Sequence, residues 1–545
     1  MDRITTSSVP PGAKAGVLTL SQAPQAARTA LKQRAVRGAI WTIGTSVGSR
    51  AIGLVGTLLL TRYLSPEVYG EVSLAALIVQ TAQVFSNCGL SQYIVSKPKE
   101  GRAATFHATF FFLVLGALAL ALTWPFTYFA GPWLFHTRNL LTFLPWLLVA
   151  GILERVAIIQ DRILVRDMRF RSVGIQRSLG EICYAIVTVT AAVGGAGGFA
   201  IVWGALARST VRIITLSATT PWREWAEPHR ITREQTRDFF QFGAPMSVAT
   251  IFGFASRRFD NFVIAILYGA GPQGIYNMAY NVADIPASQI AETIGDVLVP
   301  SFAKMDDARR RSGLLAANRI MSLLVAPLAV GLGLIAPTLV TGVIAWGKTT
   351  RWTEVAPMLM VLSVLSVVRP AGWIGSSYLQ VKDMPRVIMR LEVAKTVGLL
   401  AAMFVLGKLG GPLWACAAVG VAFGANSLSY LWVIRRIDGI PIRAQVIPLV
   451  MALAATIPMA AAVYAVRRMW SWLDPPWVAG LSPILPTLLE VVAGAAAFVP
   501  SALLIMPTTT HEFIDLLRSV MQRRTRAGRP GVPPSRASAP PSEHG

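Results

Sequence analysis

Arginines and carboxylates set inside apolar runs are the residues with chemistry to offer in this chain. Arg257, Arg258 and Asp260 lie in the second half of FGAPMSVATIFGFASRRFDNFVIAILYG, Phe242 to Gly269. That stretch is long enough to cross a bilayer, which takes about 20 helical residues. A charge placed in hydrocarbon costs roughly 2.5–3.5 kcal/mol even on the lenient insertion scale, so it needs a partner or a water-filled cavity. Arg257 and Asp260 are three apart and Arg257 and Asn261 four apart, spacings that put them on one helix face. Two readings are open: an ion pair that locks helices together, or a polar path through the membrane for something anionic. Arg50, well inside the first apolar run, and Arg369, mid-run beside Pro370, join Arg257 and Arg258 as candidates for an anion site. Guanidinium groups suit that task because they make charge-assisted, often bidentate hydrogen bonds.

Asp260, Asp284, Glu292 and Glu392 are candidates either for pairing with these arginines or for holding a coupling cation. Pro370 and Gly372 are placed to break their helix and let it bend. Other polar residues have blander readings. Arg208, Arg212, Arg319 and Arg390 stand near helix ends, where long side chains snorkel. His107 and His136 show no metal or catalytic spacing. The three cysteines, Cys88, Cys183 and Cys416, lie singly in apolar runs, which suggests neither disulfides nor metal. No cofactor is expected.

The elements that must position these residues follow from composition. Of 545 residues, 54% are hydrophobic and 14% charged, against ~25% charged in soluble proteins. An all-α integral membrane protein is the reading. The net charge of +23 does not point to nucleic acid, because the basic residues are scattered between apolar segments rather than gathered in a patch. About fourteen transmembrane helices are expected, the first near 37–60 and the last near 483–506, with Pro448, Pro458, Pro483 and Pro486 disturbing the final two. Lys and Arg concentrate in alternate loops and both tails, which places both termini in the cytoplasm.

Residues 1–36 read as a disordered tail without a signal peptide, 37–216 as a six-helix lobe and 217–241 as a cytoplasmic linker. Residues 242–434 form a second six-helix lobe, 435–506 two additional helices, and 507–545 an amphipathic helix and disordered tail. Trp222, Trp225, Phe239 and Phe240 suit a linker helix lying at the membrane interface. Shifting the numbering by 204 lays Leu64–Ala75 over Tyr268–Ala279, so that Gly70 meets Gly274 and Ala75 meets Ala279. Two pseudo-equivalent halves around a polar midline is how many transporters are built. Gly44, Gly48, Gly53 and Gly56 in the first span, with Gly243 and Gly253 in the seventh, permit close helix packing.

Two stretches carry a family resemblance. LLLTRYLSPEVYGEVSLAALI (Leu58–Ile78) resembles the first hairpin of bacterial polysaccharide exporters, the O-antigen flippase-like branch of the multidrug/oligosaccharidyl-lipid/polysaccharide superfamily. Phe242–Tyr280, with its polar cluster ending in Asp260, its glycine turn and then Gly274 and Tyr276, resembles the opening of their second half. The resemblance implies two pseudo-symmetric six-helix lobes facing each other in a V, two further helices, a cationic central cavity and alternating access in the bacterial inner membrane. The implied cargo is an undecaprenyl-pyrophosphate-linked oligosaccharide, flipped from the cytoplasmic to the periplasmic leaflet by a protein that is not an enzyme. Polysaccharide polymerase and export machinery are the protein partners the resemblance implies. Related lipid II flippases show a first-helix pattern S-R-x-x-G-x-x-R-D; this chain keeps Ser49, Arg50 and Gly53 but has Gly56 and Thr57 where the Arg–Asp pair would stand. That favours the polysaccharide branch. The rivals are a membrane polymerase or glycosyltransferase, for which the far-side loops are short, and a drug/cation antiporter, whose cationic cargo conflicts with the central arginines.

Overall fold

The computed structural model describes residues 48, 52–53, 55–87, 89, 93–94, 101–135, 137, 139–167, 169–230, 232–303, 305–345, 350–473 and 484–515. At 101, 170, 238, 242, 244–246, 249, 286–297, 299–301, 303 and 350 it describes the backbone alone. Arg50, both tails and most of the first expected span lie outside the described residues; so does the side chain of Glu292.

Residues 55–60 and 507–515 are helical, and between them apolar runs interrupted by capping residues give helices α1 to α14. They are Pro66–Phe85, Gly101–Phe135, Leu140–Arg166, Phe170–Val193, Phe199–Thr219, Arg233–Tyr268, Ala270–Ala303, Asp307–Leu339, Val355–Leu365, Arg369–Val381, Pro385–Gly410, Pro412–Asp438, Ile442–Leu473 and Leu485–Ile505. Sequence sets the starts: Ser65 caps α1 by accepting from the Val68 amide, with Pro66 in the first turn, and Asp306 caps α8 by accepting from the Arg309 amide. Gly269, at φ +84°, makes the turn between α6 and α7 in a conformation that other residues rarely adopt. α9 and α10 are one span broken at 366–368 by a 3-10 turn, where Pro370 withholds an amide from the ladder.

Ten spans among the described residues are long and apolar enough to cross a membrane. α4, α6 and α7 are as long but richer in polar residues, Asp260 and Asp284 among them. The helices sort into two groups. α4 packs on α5, α5 on α3, and α3 on α1 and α2; in the second group α11 packs on α12 and α6, and α10 on α12 and α7. α13 and α14 pair and dock on α8. The groups meet along α1 and α7, and one apolar core runs across that seam, from Val72, Ala75 and Ile78 to Tyr276, Met278 and Ala279.

The linker is not a continuous interfacial helix. Trp222–Glu224 is a single 3-10 turn, and Pro228 keeps the helix from running on towards α6. Its charges dock it on the first group instead: Glu224 pairs with Arg102 (3.4 Å) and Arg166 (3.3 Å), and His107 Nε2 donates to the Arg230 carbonyl (2.8 Å). Phe239, at the start of α6, is buried with Tyr93 and Phe112 of the first group.

Candidate functional site

At the end of the bundle away from the linker, the first turns of α1 and α7 cross at their glycines. A methyl built on Gly274 would stand 2.9 Å from the Gly70 nitrogen and closer still to the Pro66 carbonyl oxygen; one built on Gly70 would strike the Ala270 carbonyl. Pro66 and Ala270 are themselves 204 apart, as are Gly70 and Gly274. The contact is therefore reciprocal, as a two-fold relation requires. Trp352 backs the crossing. Fully buried, it donates from Nε1 to the Leu64 carbonyl (3.0 Å) and stands edge-on to Tyr69. Thr61 Oγ1 donates to the Ile344 carbonyl (2.7 Å). Together these contacts seal the two groups to each other at that end.

Below the seal, α7 presents Asn277, Asn281 and Asp284 at helical spacing, all partly exposed. Asp284 pairs with Arg369, which stands on the first residue of α10 immediately after the break. Arg369 is buried, with its guanidinium over the Phe423 ring (4.3 Å) and near that of Tyr280 (5.3 Å). Beside the break, the Arg369 amide donates to the Ser366 carbonyl and Ser427 Oγ donates to Val368 O (2.7 Å), so irregular backbone at membrane depth keeps partners.

The pairing of Arg257 with Asp260 is not formed. Arg257 is exposed, whereas Asp260 is buried and accepts from the Asn261 amide (2.8 Å), Asn261 Nδ2 (2.9 Å) and Tyr276 Oη (2.7 Å). Asp260 thus ties α6 to α7. Arg258 is half-buried and lies within electrostatic reach of Tyr69, Asp260 and Tyr280. Glu392 pairs with Lys395, not with an arginine; Tyr430 Oη also approaches it at 3.4 Å. Lys395 sits 5.2 Å from the face of the same Phe423 ring. Sequence reasoning passed over Lys395, though a lysine three residues after a glutamate inside an apolar run was the available signal.

The first group holds a second network that reading by depth also missed. Arg212 is not free to snorkel: it pairs with Glu154 and donates to Gln176 Oε1 (3.0 Å). Gln176 and Arg177 both donate to Asp161 (2.7 and 3.0 Å), and Arg208 pairs with Glu181 at 3.5 Å. Two first-span glycines pack here, Gly53 against Glu181 and Gly56 against Ala185, while Gly48 and Gly253 meet nothing within 4 Å.

At the linker end, Asp438 fastens three helices of the second group. It accepts from Tyr378 Oη (2.7 Å) and Lys382 Nζ (3.1 Å), and Lys382 also reaches Asp307 (2.9 Å). Lys382 holds the Asp307 carboxyl below the usual carboxylate range. Burial works to raise Asp438, but the hydrogen bonds from Tyr378 and Lys382 outweigh it and lower its pKa. Among the described residues no group of three or more His, Cys, Asp and Glu could hold a metal ion.

A family model described as a polysaccharide biosynthesis protein matches residues 59–357. The lipopolysaccharide biosynthesis protein WzxC of Escherichia coli (strain K12) is 22% identical, over 80% of this chain and 88% of that protein. The succinoglycan biosynthesis transport protein ExoT of Rhizobium meliloti (strain 1021) is 24% identical, over 74% and 80% respectively. Among solved structures, the lipid II flippase MurJ in an inward closed conformation superposes with a TM-score of 0.66 at 13% identity, covering 85% of this chain and 98% of that one. An inward-facing multidrug resistance transporter of the MATE family shares the same fold, with a TM-score of 0.58 at 15% identity over 72% and 95%.

Proposed function

Because the chain belongs to the polysaccharide biosynthesis protein family, we propose that it flips undecaprenyl-pyrophosphate-linked oligosaccharide from the cytoplasmic to the periplasmic leaflet. The observation that carries this reading is the placement of the arginines relative to the seal. Gly70 and Gly274 close one end of the seam between two pseudo-equivalent helix groups. Arg258 and the Arg369–Asp284 pair lie deeper in the same bundle, near α1 and α7.

A pyrophosphate is a concentrated anion whose oxygens match guanidinium forks. Arg257 and Arg258 supply cations on α6, and Arg369 supplies one at the broken span. The oligosaccharide needs polar surface and water, which the Asn277–Asn281–Asp284 stripe borders. The undecaprenyl tail can stay in the bilayer. The basic end of the bundle, with the linker, faces the cytoplasm, and both termini lie on that side. Sealing at the opposite end then leaves cargo to enter from the cytoplasmic leaflet; release requires the α1–α7 crossing to part while a cytoplasmic contact forms.

The test is made in cells lacking the gene. Single lipid-linked repeat units are expected to accumulate, to clear on complementation with the wild type, and to persist with well-expressed Arg257→Ala/Arg258→Ala. Normal passage of units that then stay unpolymerised would overturn the reading.

A further inference from the structure

The carboxylates Asp260, Asp284 and Glu392 each have a partner, and that of Asp284 is an arginine. Glu392 is taken by Lys395, and Asp260 by Tyr276 and Asn261. Asp284 takes Arg369. The side chain of Arg369 is 6% exposed and that of Asp284 31%, so a solute arriving at this pair meets the carboxylate before the guanidinium. The guanidinium carbon lies 4.3 Å from the centre of the Phe423 ring and 5.3 Å from that of Tyr280. A guanidinium donates only from its rim of N–H groups, and Asp284 takes Nη1 of that rim. Carboxylate and phosphate compete for that same fork of N–H donors.

Resting on the flippase reading, we propose that Asp284 is an internal counter-anion that the cargo's pyrophosphate displaces from Arg369. A guanidinium at this depth is strongly unfavourable without an anion beside it. Asp284 supplies that anion when no cargo is bound, and the pyrophosphate supplies it afterwards. The arginine therefore stays compensated through the cycle. The exchange also makes the site selective: a neutral lipid-linked sugar has nothing to offer Arg369 in place of Asp284.

An ordinary structural ion pair between α7 and α10 would behave differently, and a binding experiment separates the two. Binding of farnesyl pyrophosphate to the purified full-length protein in nanodiscs is measured by tryptophan fluorescence, with melting temperature recorded for every variant. Asp284→Asn should bind at least tenfold tighter than wild type, because the competitor's charge is gone while its shape remains. Arg369→Gln should bind at least tenfold weaker, and Asp284→Asn/Arg369→Gln no tighter than Arg369→Gln alone. Arg369→Lys, which keeps the charge and the pairing but not the fork, should fold as wild type and still bind more weakly. Unchanged or weaker binding by a folded Asp284→Asn would overturn the proposal. If Asp284→Asn matches wild type while Arg257→Ala/Arg258→Ala abolishes binding, the exchange is wrong and the flippase reading stands. If the wild type binds no isoprenyl pyrophosphate at all, the proposal falls with the anion site, and the accumulation assay decides the flippase reading separately.

Discussion

Replacing Gly274 with alanine is expected to force the sealed end open. The added methyl would lie 2.9 Å from the Gly70 nitrogen and 3.1 Å from its Cα, and nearer to the Pro66 oxygen. Non-bonded carbon contacts need ~3.5 Å, and all three obstacles are backbone, so no rotamer change relieves them. The first turns of α1 and α7 must separate by up to about 1 Å, and overpacking of this kind typically costs about 1–3 kcal/mol. Alanine also favours the helix by ~1 kcal/mol over glycine, but it does so whether the seam is sealed or parted. The methyl clash alone therefore biases the equilibrium, by roughly 5–150-fold. Gly70→Ala should match it, because its methyl meets Ala270 as the other meets Pro66. The assay is labelling of Ser73→Cys, one turn below the crossing, by an impermeant maleimide from outside the cell, with Cys88, Cys183 and Cys416 replaced. Labelling should be low with both glycines and at least fivefold higher with either alanine. Equal labelling in all three, with the variants folded, would refute the idea that this crossing is the seal.

Trp352→Ala removes a fully buried ring and its bond to Leu64; a loss of ~3–5 kcal/mol should lower the melting temperature and raise Ser73→Cys labelling, whereas Trp352→Phe, which keeps a ring but leaves the Leu64 carbonyl without its donor, should cost about 1–3 kcal/mol. Glu490 is buried and binds Arg467 (2.9 Å) and Thr338 (2.6 Å), pinning α13 and α14 to α8. Glu490→Ala leaves that arginine uncompensated and should destabilise by ~3–5 kcal/mol, seen as early melting in size-exclusion thermal scans. The lowered carboxyls of Asp307 and Asp438 add stability that is fully present above the ordinary aspartate pKa of ~3.9 and is lost as pH falls through their lowered folded values. Melting temperature should accordingly hold through neutral pH and drop in acid, and Asp438→Asn should start lower and show a shallower acid limb.

How far the sequence foretold this arrangement depends on whether a residue's requirement is local. The 204-residue offset paired Gly70 with Gly274 from a handful of turn residues, and those two glycines touch in the structure. Close backbone approach leaves a mark that one chain can show, because only glycine meets it. Pro370 foretold the broken span for the same reason. Partners across helices left no such mark. Asp260 stands three residues from Arg257, yet its donors are its neighbour Asn261 and Tyr276 on the next helix, since burial faces α7 and spacing alone cannot say which face that is. Arg369 and Asp284 were both visible as intramembrane charges, but their union spans 85 positions and depends on how α7 and α10 register. Arg208 and Arg212 had the depth of snorkelling residues; only the packing of α3, α4 and α5 reveals Glu181 and Glu154 beside them.

The most direct test of the flippase account is movement of the cargo itself. Purified protein would be reconstituted into liposomes carrying a fluorescent undecaprenyl-pyrophosphate-linked oligosaccharide, and the fraction open to an impermeant quencher tracked in time. The account predicts that wild type makes nearly all the label accessible, while Arg257→Ala/Arg258→Ala leaves about half protected, as protein-free liposomes of even leaflet loading do. Half protection with the folded wild-type protein would contradict it.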